Sequence, residues 1–519
     1  MLMLYITTTT LVAQGIWAKA FGQRDTVPTM EMGWTIIQTT DGGYAVAGSA
    51  QIGGSFYDAL LLRLTPNGDL IWAKAFGGPS HDQPGLRMVA QTTDGGFILA
   101  GSTVSFGAGG YDCFILKLTS DGSLSWAKTF GGLGNDWARA VIQSTDGGYL
   151  VVGYTESLDL GILGASDCLV LKLASDGSLI WAKTFGWAAW DEAFSITQTT
   201  DGGYAIAGYT YDASFNKDFL VFKLTSDGSV SWANQYGNTS RAEEAWSIIQ
   251  TTDGGYAVAG YTEAGANDFL VLKLASDGSV SWKKRIGGSN DENSPEIIQT
   301  ADGGYAVVGR TWSFGAGNYD FLIFKLATDG SLSWAKTMGG SNYDEPFSII
   351  QTTDGGYAVA GRTNSPVNGY EVLVLKLPSD GNYPGCIADC SPTVVNPGLN
   401  TTSLSIGADC SPISGGPLPD TTTPLIAITN VCEPLYEDVE EGGLESNRPI
   451  ICFSVPGGLI FRSEAEADVK LYTPDGRLAC SRKLIKGENR ISLDEGVYLW
   501  TTHNLEPVAP NQKGKAIVR

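Results

Sequence analysis

Short apolar runs of strand length recur through residues 15–381 and alternate with polar, glycine-rich turns. A repeat unit contains four such runs, as at 348–352, 357–362, 371–377 and, from the unit before, 333–337. They are rich in β-branched and aromatic residues, which favour strands. The third run, for example 269–274, is apolar at consecutive positions, as expected of a strand covered on both faces. The pattern predicts an all-β protein built of four-stranded sheets.

The repeat is nearly periodic, with spacings of 53, 52, 55, 52, 49 and 52 residues between its Asp residues. A period near 50 with several short strands is typical of a β-propeller blade, so the sequence predicts a seven-bladed β-propeller over residues 15–381. The repeat Asp residues are Asp41, Asp94, Asp146, Asp201, Asp253, Asp302 and Asp354. Each follows a Gln by three positions, and we expect the Asp-Gly turns and these amides to be structural.

The two ends of the repeat region are out of phase. The chain opens on Ile16-Trp17-Ala18-Lys19, whereas the last unit stops after Leu377 without its Trp strand. We therefore expect the N-terminal strand to complete the final blade and to close the ring by hydrogen bonds.

Composition bears on location and partners. With 55 Asp plus Glu against 33 Lys plus Arg, the net charge is −22, which repels phosphate backbones and makes nucleic acid an unsuitable partner. Residues 1–14 are interpreted as a truncated secretory signal, the alternative being a frayed N-terminus. No other stretch approaches the length of about 20 apolar residues that a membrane span needs.

The cysteines form two groups. Cys113 and Cys168 begin third strands, where other units carry Ala, Phe or Val, so we expect small buried hydrophobes. Four others lie in the Pro/Thr/Ser-rich segment 382–445, which reads as an exported linker pinned by disulfides, and they are Cys386, Cys390, Cys410 and Cys432. A zinc site is the alternative, although the spacing does not match paired C-x2-C motifs and no His accompanies them.

A second β-rich segment spans 446–519. Its motifs resemble the C-terminal sorting domain of type IX secretion substrates at Val469, Tyr472, Gly476, Arg477, Gly487, Asn489, Leu493, Gly496, Val497 and Tyr498. The resemblance implies a small β-sandwich that addresses the chain for export across the outer membrane of a Gram-negative bacterium. It also implies the type IX outer-membrane machinery as a partner.

The repeats themselves, with Thr-Asp-Gly-Gly-Tyr and Trp-Ala-Lys-Thr-Phe-Gly-Gly, resemble those of bacterial secreted propeller proteins, which implies little about a ligand. Catalytic groups are sparse, because the chain has two histidines, His81 and His503, in different predicted domains. A Ser-His-Asp or multi-His metal site is therefore not expected. The arginines read as scattered, as at Arg139, Arg241, Arg310 and Arg362, which argues against a sialidase.

One set of acidic residues recurs ten positions before the repeat Asp, with Asp82 two places early in an exceptional unit. These residues could bind calcium or a basic partner on one face, or they could cap turns by bonding backbone N–H groups. Repetition in every unit favours caps. The members are Glu31, Asp136, Asp191, Glu243, Glu292 and Asp344.

The tryptophans divide into repeated and variable positions. The repeated ones, such as Trp126, are expected to pack between blades rather than to stack on sugars. The positions that depart from the repeat are better ligand candidates, with Trp246 the least so because Trp34 occupies the same place in the first unit. They are Trp137, Trp187, Trp190, Trp246 and Trp312.

Taken together, these features predict a secreted or surface-attached binding or display module without enzymatic activity, and no resident metal or cofactor beyond the calcium option. The ligand class is an extracellular glycan or protein. Two alternatives stay open: a hydrolase acting on extracellular polymers, and a structural surface-layer component.

Overall fold

The structure is a computed structural model. It describes residues 4–7, 16–23, 29–51, 56–157, 166–186, 190–212, 215–238, 240–263, 265–315, 318–340, 342–365, 369–382, 387–390, 393–395, 400–403, 451–455, 458–463, 467–472, 478–484, 487–492, 496–504 and 513–518. The chain divides into two compact units, Met1–Glu433 and Pro434–Arg519. The described residues form strands and no helix, so the protein is all-β.

Each repeat supplies four strands. The first strands are β3 (Thr29–Gln38), β7 (Asp82–Gln91), β11 (Asp136–Gln143), β15 (Glu192–Gln198), β19 (Glu243–Gln250), β23 (Glu292–Gln299) and β27 (Asp344–Gln351). The second strands are β4 (Tyr44–Gln51), β8 (Phe97–Thr103), β12 (Tyr149–Thr155), β16 (Tyr204–Tyr211), β20 (Tyr256–Glu263), β24 (Tyr305–Thr311) and β28 (Tyr357–Ser365).

The outer half of each repeat follows. The third strands are β5 (Tyr57–Leu64), β9 (Asp112–Leu118), β13 (Asp167–Leu173), β17 (Lys217–Leu224), β21 (Asn267–Leu274), β25 (Asp320–Leu326) and β29 (Gly369–Leu377). The fourth strands are β6 (Leu70–Phe76), β10 (Leu124–Phe130), β14 (Leu179–Phe185), β18 (Val230–Gly237), β22 (Val280–Gly287), β26 (Leu332–Met338) and, from the N-terminus, β2 (Trp17–Gln23).

Within each repeat the four strands pair antiparallel in sequence, and we number the resulting sheets units 1 to 7 from β3–β6 onward. Unit 7 takes β2 as its fourth strand, with Phe21 opposite Val372. The expected closure by the N-terminal strand is thus confirmed. Third strands are buried on both faces, since Phe269 and Leu270 are each 0% exposed.

A circle of side-chain amides joins successive units. In every unit the Gln that ends the first strand accepts a hydrogen bond from a backbone N–H in the turn of the preceding unit, at 2.8–3.0 Å. The circle closes because Gln38 of unit 1 accepts from Thr353 of unit 7. These amides are structural, as the sequence predicts. The acceptors are Gln38, Gln91, Gln143, Gln198, Gln250, Gln299 and Gln351.

The repeated tryptophans also join neighbouring units. Each indole covers the positive-φ glycine in the turn that follows the third strand of the next unit, so a Cβ there would lie only 2.7–3.0 Å from the ring. The contact continues through the closure, because Trp17 covers Gly68 and Trp334 covers Gly381. The indole of Trp126 also meets the ring of Tyr149 edge-on at 5.9 Å. Their role is packing, as expected.

Part of the segment predicted as a linker belongs to these sheets. Three short strands, β30 (Ile387–Asp389), β31 (Thr393–Val395) and β32 (Asn400–Ser403), pair with the outer strands of units 6, 5 and 4 respectively. β1 (Leu4–Thr7) likewise pairs with β2 in unit 7. The linker interpretation therefore needs correction for residues 387–389, 393–395 and 400–403, because exposed strand edges attract a further strand. Of the four cysteines in this segment, Cys390 is described, and Cys386, Cys410 and Cys432 lie outside the described residues.

The C-terminal compact unit, Pro434–Arg519, consists of two antiparallel sheets. One contains β33 (Ile451–Val455), β34 (Gly458–Ser463) and β37 (Gly487–Ser492). The other contains β35 (Ala467–Tyr472), β36 (Leu478–Leu484), β38 (Gly496–Asn504) and β39 (Lys513–Val518). Of the sorting-motif positions, Gly476, Arg477 and Leu493 lie outside the described residues, and the other seven lie in β35, β37 and β38. No helix in the described part of the chain could cross a membrane.

Candidate functional site

The repeat Asp residues are committed to the fold. Each one bonds the Lys or Arg of the third strand of its own unit, and the carboxylate is exposed while the cation is buried in every unit except unit 6, where Lys325 is half-buried. Asp146 also accepts a hydrogen bond from the Gly148 N–H at 2.9 Å, and these bonds hold its pKa near 2 despite partial burial. Because every repeat uses its Asp to stabilise the same turn, the seven repeat Asp residues are not free to bind a ligand.

The recurrent carboxylates of the sequence lie at the starts of the first strands. We call this end of the units the loop face, because it carries the loops into the first strands and those between second and third strands. The six side chains are at most 7% exposed, with Asp136, Asp191, Glu243 and Glu292 at 0%, Glu31 at 2% and Asp344 at 7%.

Hydrogen bonds show what these carboxylates do. Asp136 accepts from the Gly132 N–H at 2.9 Å and Asp344 from the Gly340 N–H at 2.9 Å, each across the loop that precedes its strand. Glu243 accepts from the Thr262 hydroxyl at 2.8 Å. Burial raises the pKa of Glu243 to about 7. Among the described residues no three His, Cys, Asp or Glu side chains are grouped as metal ligands. The bonds favour the cap interpretation over a cation site.

The variable tryptophans are on the loop face, except that Trp187 lies outside the described residues. Trp190 and Trp312 are 43% and 50% exposed, and Trp312 lies 5.7 Å from the ring of Tyr319. Trp137 is stacked 6.3 Å from Tyr154, and the guanidinium of Arg139 lies 5.1 Å from its ring. Aromatic surface is thus spread around this face.

Every first strand contains a β-bulge, a feature that the sequence did not reveal. The register to the second strand shifts around the residue seven positions before the repeat Asp, as between Gly33 and Thr35 or between Ala245 and Ser247. In unit 6 the bulge includes Ser294, whose φ is 58°. A bulge leaves one residue unpaired and changes the direction of its side chain. We call these residues the bulge belt: Trp34, Arg87, Arg139, Phe194, Trp246, Pro295 and Phe347.

Members of the bulge belt contact each other across three of the unit boundaries. The ring of Phe194 stacks 5.4 Å from Trp246, and Trp34 lies 4.4 Å from Phe347. Arg139 lies 5.3 Å from the ring of Phe194. Unlike the Gln and Asp positions, this position changes from unit to unit, which is the signal that could have found it. It includes Trp246, which the sequence ranked lowest, and Trp34 at the equivalent place.

A small cavity opens at the bulge belt. Its volume is about 20 Å³, and it is lined by Arg87, Trp246, Ser294, Pro295, Glu296 and Phe347. Two of its walls are aromatic and two carry opposite charges, so a ligand at its mouth would meet both an apolar ring face and polar groups. Arg87 and Glu296 form an ion pair at 2.8 Å across it.

Two of the arginines that read as scattered are brought together next to this cavity. Arg310 of unit 6 and Arg362 of unit 7 both bind the carboxylate of Glu345. The expectation of scattered arginines is therefore wrong for this pair. His81, by contrast, accepts a hydrogen bond from the Tyr57 N–H at 3.3 Å and contacts the Phe56 ring, as a packed side chain does.

No protein-family model matches the chain, and no curated protein matches it. Solved structures resemble it weakly. They include a protein of unknown function from Dyadobacter fermentans, at 10% identity, 70% of this chain, 100% of that chain and a TM-score of 0.40. PorZ, a surface component of the type IX secretion system of Porphyromonas gingivalis, matches at 10% identity over 96% of this chain and 61% of its own, with a TM-score of 0.39. The β-propeller domain of the Trilobed protease from Pyrococcus furiosus matches at 8% identity, 70% and 98% coverage and a TM-score of 0.39.

Proposed function

We propose that this chain is a secreted or cell-surface binding module: a seven-bladed β-propeller that binds an extracellular glycan or protein at its bulge belt. The propeller assignment is supported by seven four-stranded repeats joined in a closed circle by Gln38 and its six equivalents. Arg87 of unit 2 contacts units 4, 5 and 6. One side chain can reach three other units only if the first strands of these units face a common central axis.

The observation that carries the binding role is the difference between the two ends of the units. At the end that carries the Asp-Gly turns, the Asp, Gln and Lys or Arg positions repeat: the cation bonds the Asp, and the Gln bonds the backbone of the preceding unit. Away from these turns, in the first strands, the bulge belt is aromatic, basic or Pro from one unit to the next, and four of its seven members line a cavity. Bulges of this kind re-aim side chains near binding and active sites. Specificity in repeat arrays resides where the repeat varies.

The test is a glycan and polysaccharide array with the full chain, once with calcium and once with a chelator. Trp246→Ala should abolish or strongly weaken binding, because its ring lines the cavity. Ile180→Ala is the matched control, since Ile180 is 56% exposed on an outer strand. Binding that a chelator abolishes, or that survives Trp246→Ala, would contradict the belt assignment and return calcium and the recurrent carboxylates to consideration.

The C-terminal unit serves export in this proposal. Two antiparallel sheets that contact each other through β39 and β33 support a β-sandwich, and the sorting motifs resemble those of type IX substrates. Residues 446–519 fused to a periplasmic reporter should carry it to the surface of a host with type IX machinery. Retention in the periplasm would contradict this assignment. No catalysis is assigned, because the recurrent carboxylates that a hydrolase would use are buried.

A further inference from the structure

Two guanidinium groups share one carboxylate at the boundary of units 6 and 7. Arg310 Nη1 lies 2.5 Å from Glu345 Oε1, and Arg362 bonds Glu345 Oε2 through Nε and Nη2. The Glu345 side chain is 2% exposed, whereas those of Arg310 and Arg362 are 28% and 21% exposed. The triad therefore carries one surplus positive charge at the loop face of a chain whose net charge is −22.

The surplus is local to this triad. Other arginine ion pairs among the described residues match one guanidinium to one carboxylate, as in Arg139 with Glu192 and Arg285 with Asp268. Within the part of the chain that the structure describes, Glu345 is the only carboxylate that forms ion pairs with two arginines. A structural ion pair between two units needs only one arginine, so the second cation calls for another explanation.

One donor group of each arginine lacks a strong acceptor. Arg310 Nε is buried and has no hydrogen-bond partner among the described residues. Arg362 Nη1 donates to the thioether sulfur of Met32 at 3.0 Å, a weak acceptor. An unsatisfied buried N–H of a charged group is costly unless an acceptor arrives. A ligand oxygen near this pair could provide that acceptor.

Aromatic rings flank the two guanidiniums. Arg362 lies 4.2 Å from the ring centre of Tyr370 and 5.9 Å from that of Phe347, a member of the bulge belt. Arg310 lies 4.6 Å from the ring centre of Tyr319, which neighbours Trp312. Stacking on a ring holds a guanidinium plane in a fixed orientation. The arrangement places aromatic rings beside fixed cationic donors.

We infer that Arg310 and Arg362 recognise the carboxylate of an acidic sugar, a uronate residue within a glycan bound at the bulge belt. The inference rests on the proposed function, because it names the ligand class of that site. Guanidinium groups pair well with carboxylates, and a sulfated sugar is the competing anion that the experiment tests. The aromatic neighbours accept the pyranose ring, and the surplus charge attracts the anion.

The test titrates the full chain with oligogalacturonides and with neutral galactose oligomers of equal length, by calorimetry at two salt concentrations. We expect the uronate ligand to bind at least about tenfold more tightly, and more weakly at higher salt. Arg310→Gln and Arg362→Gln should each weaken uronate binding about tenfold or more. Arg285→Gln is the matched control, since its guanidinium pairs with Asp268 alone and should leave binding unchanged.

Glu345→Gln separates recognition from structural support. It removes the carboxylate that competes for both guanidiniums, so uronate binding should be retained or become tighter even if the melting temperature falls. A purely structural triad predicts a lower melting temperature and no preference for the uronate. Equal affinity for neutral and uronate oligomers, or for sulfated oligomers of equal length, would overturn the inference but leave the proposed function standing. Absence of binding to any glycan or protein would overturn both.

Discussion

The guanidinium of Arg87 in unit 2 lies 2.8 Å from the carboxylate of Glu296 in unit 6. Arg87 also donates to the Ser195 hydroxyl at 3.0 Å and to that of Ser247, in units 4 and 5. The irregular register of β7 between Pro84 and Val89 allows this side chain to reach the others. One widened bulge thus links four of the seven units.

Because Arg87 links four units, its replacement should destabilise the protein more than the replacement of an ordinary surface residue. Arg87→Met should lower the free energy of unfolding by about 1–3 kcal/mol, because Glu296 and two hydroxyls lose a charged donor. Urea unfolding of the full chain, followed by tryptophan fluorescence, measures the change.

The matched control is the double variant Arg87→Met with Glu296→Gln. Since removing both charges leaves no buried carboxylate without its cation, the double variant should be less destabilised than the sum of the two single variants. Simple additivity would mean that the pair contributes no coupling energy.

Sequence patterns predicted the elements that repeat, and they failed where single residues depart from the repeat. The apolar runs that alternate with polar turns predict four strands per unit, and this pattern occurs in every unit. Closure by β2 follows because the repeat region begins and ends at different points of the repeat. The bulges escape detection because Trp34 and its equivalents are flanked by strand residues on both sides, so an extra residue leaves the apolar run intact. The Arg310–Glu345–Arg362 cluster joins positions 35 and 17 residues apart, which no local pattern connects.

Two glycines in similar backbone conformations should respond differently to alanine. Gly122 and Gly147 have φ of 75° and 86°, so alanine costs about 1–2 kcal/mol at either position. At Gly122, however, the new Cβ would lie 2.9 Å from the indole of Trp72, whereas nothing lies within 4 Å at Gly147. Gly122→Ala should therefore be the more destabilising by about 1 kcal/mol or more. Equal thermal unfolding shifts would show that the indole moves without cost.

Removal of the closing strand should disrupt cooperative unfolding. A chain beginning at residue 24 lacks β2 and thereby Trp17 and Phe21, which are 8% and 1% exposed. Each large apolar side chain lost from the core removes about 1.5–3 kcal/mol, and unit 7 loses a strand. The matched control begins at residue 15, which removes β1 but keeps β2. Calorimetry should give one sharp transition for the control and a broadened, lower one for the shorter chain.

Some carboxyl groups have raised pKa values and others have lowered ones, and together they predict that stability is greatest on the acidic side of neutrality. Burial raises the pKa of Asp58 and Asp218 to about 6 and of Glu243 to about 7. For these groups the folded state binds protons more tightly than the unfolded state, so their stabilisation is present below about pH 4 and is lost as the pH rises towards 7. The turn residues act in the opposite sense. Asp94 and Asp146 have pKa values near 2, so their contribution is lost as the pH falls from about 4 to 2.

The melting temperature should therefore pass through a maximum near pH 4–5 and decline towards pH 8, measured across one buffer series at constant ionic strength. Asp218→Asn should flatten the decline above pH 5, because the raised-pKa carboxyl is absent in both states. Asp146→Asn is the matched control: it should lower stability at pH 7 through loss of the Lys172 ion pair, and flatten the fall below pH 4 while leaving the slope above pH 5 unchanged. A wild-type melting temperature that rises steadily from pH 4 to 8 would contradict the assignment of raised pKa values to the buried carboxyls.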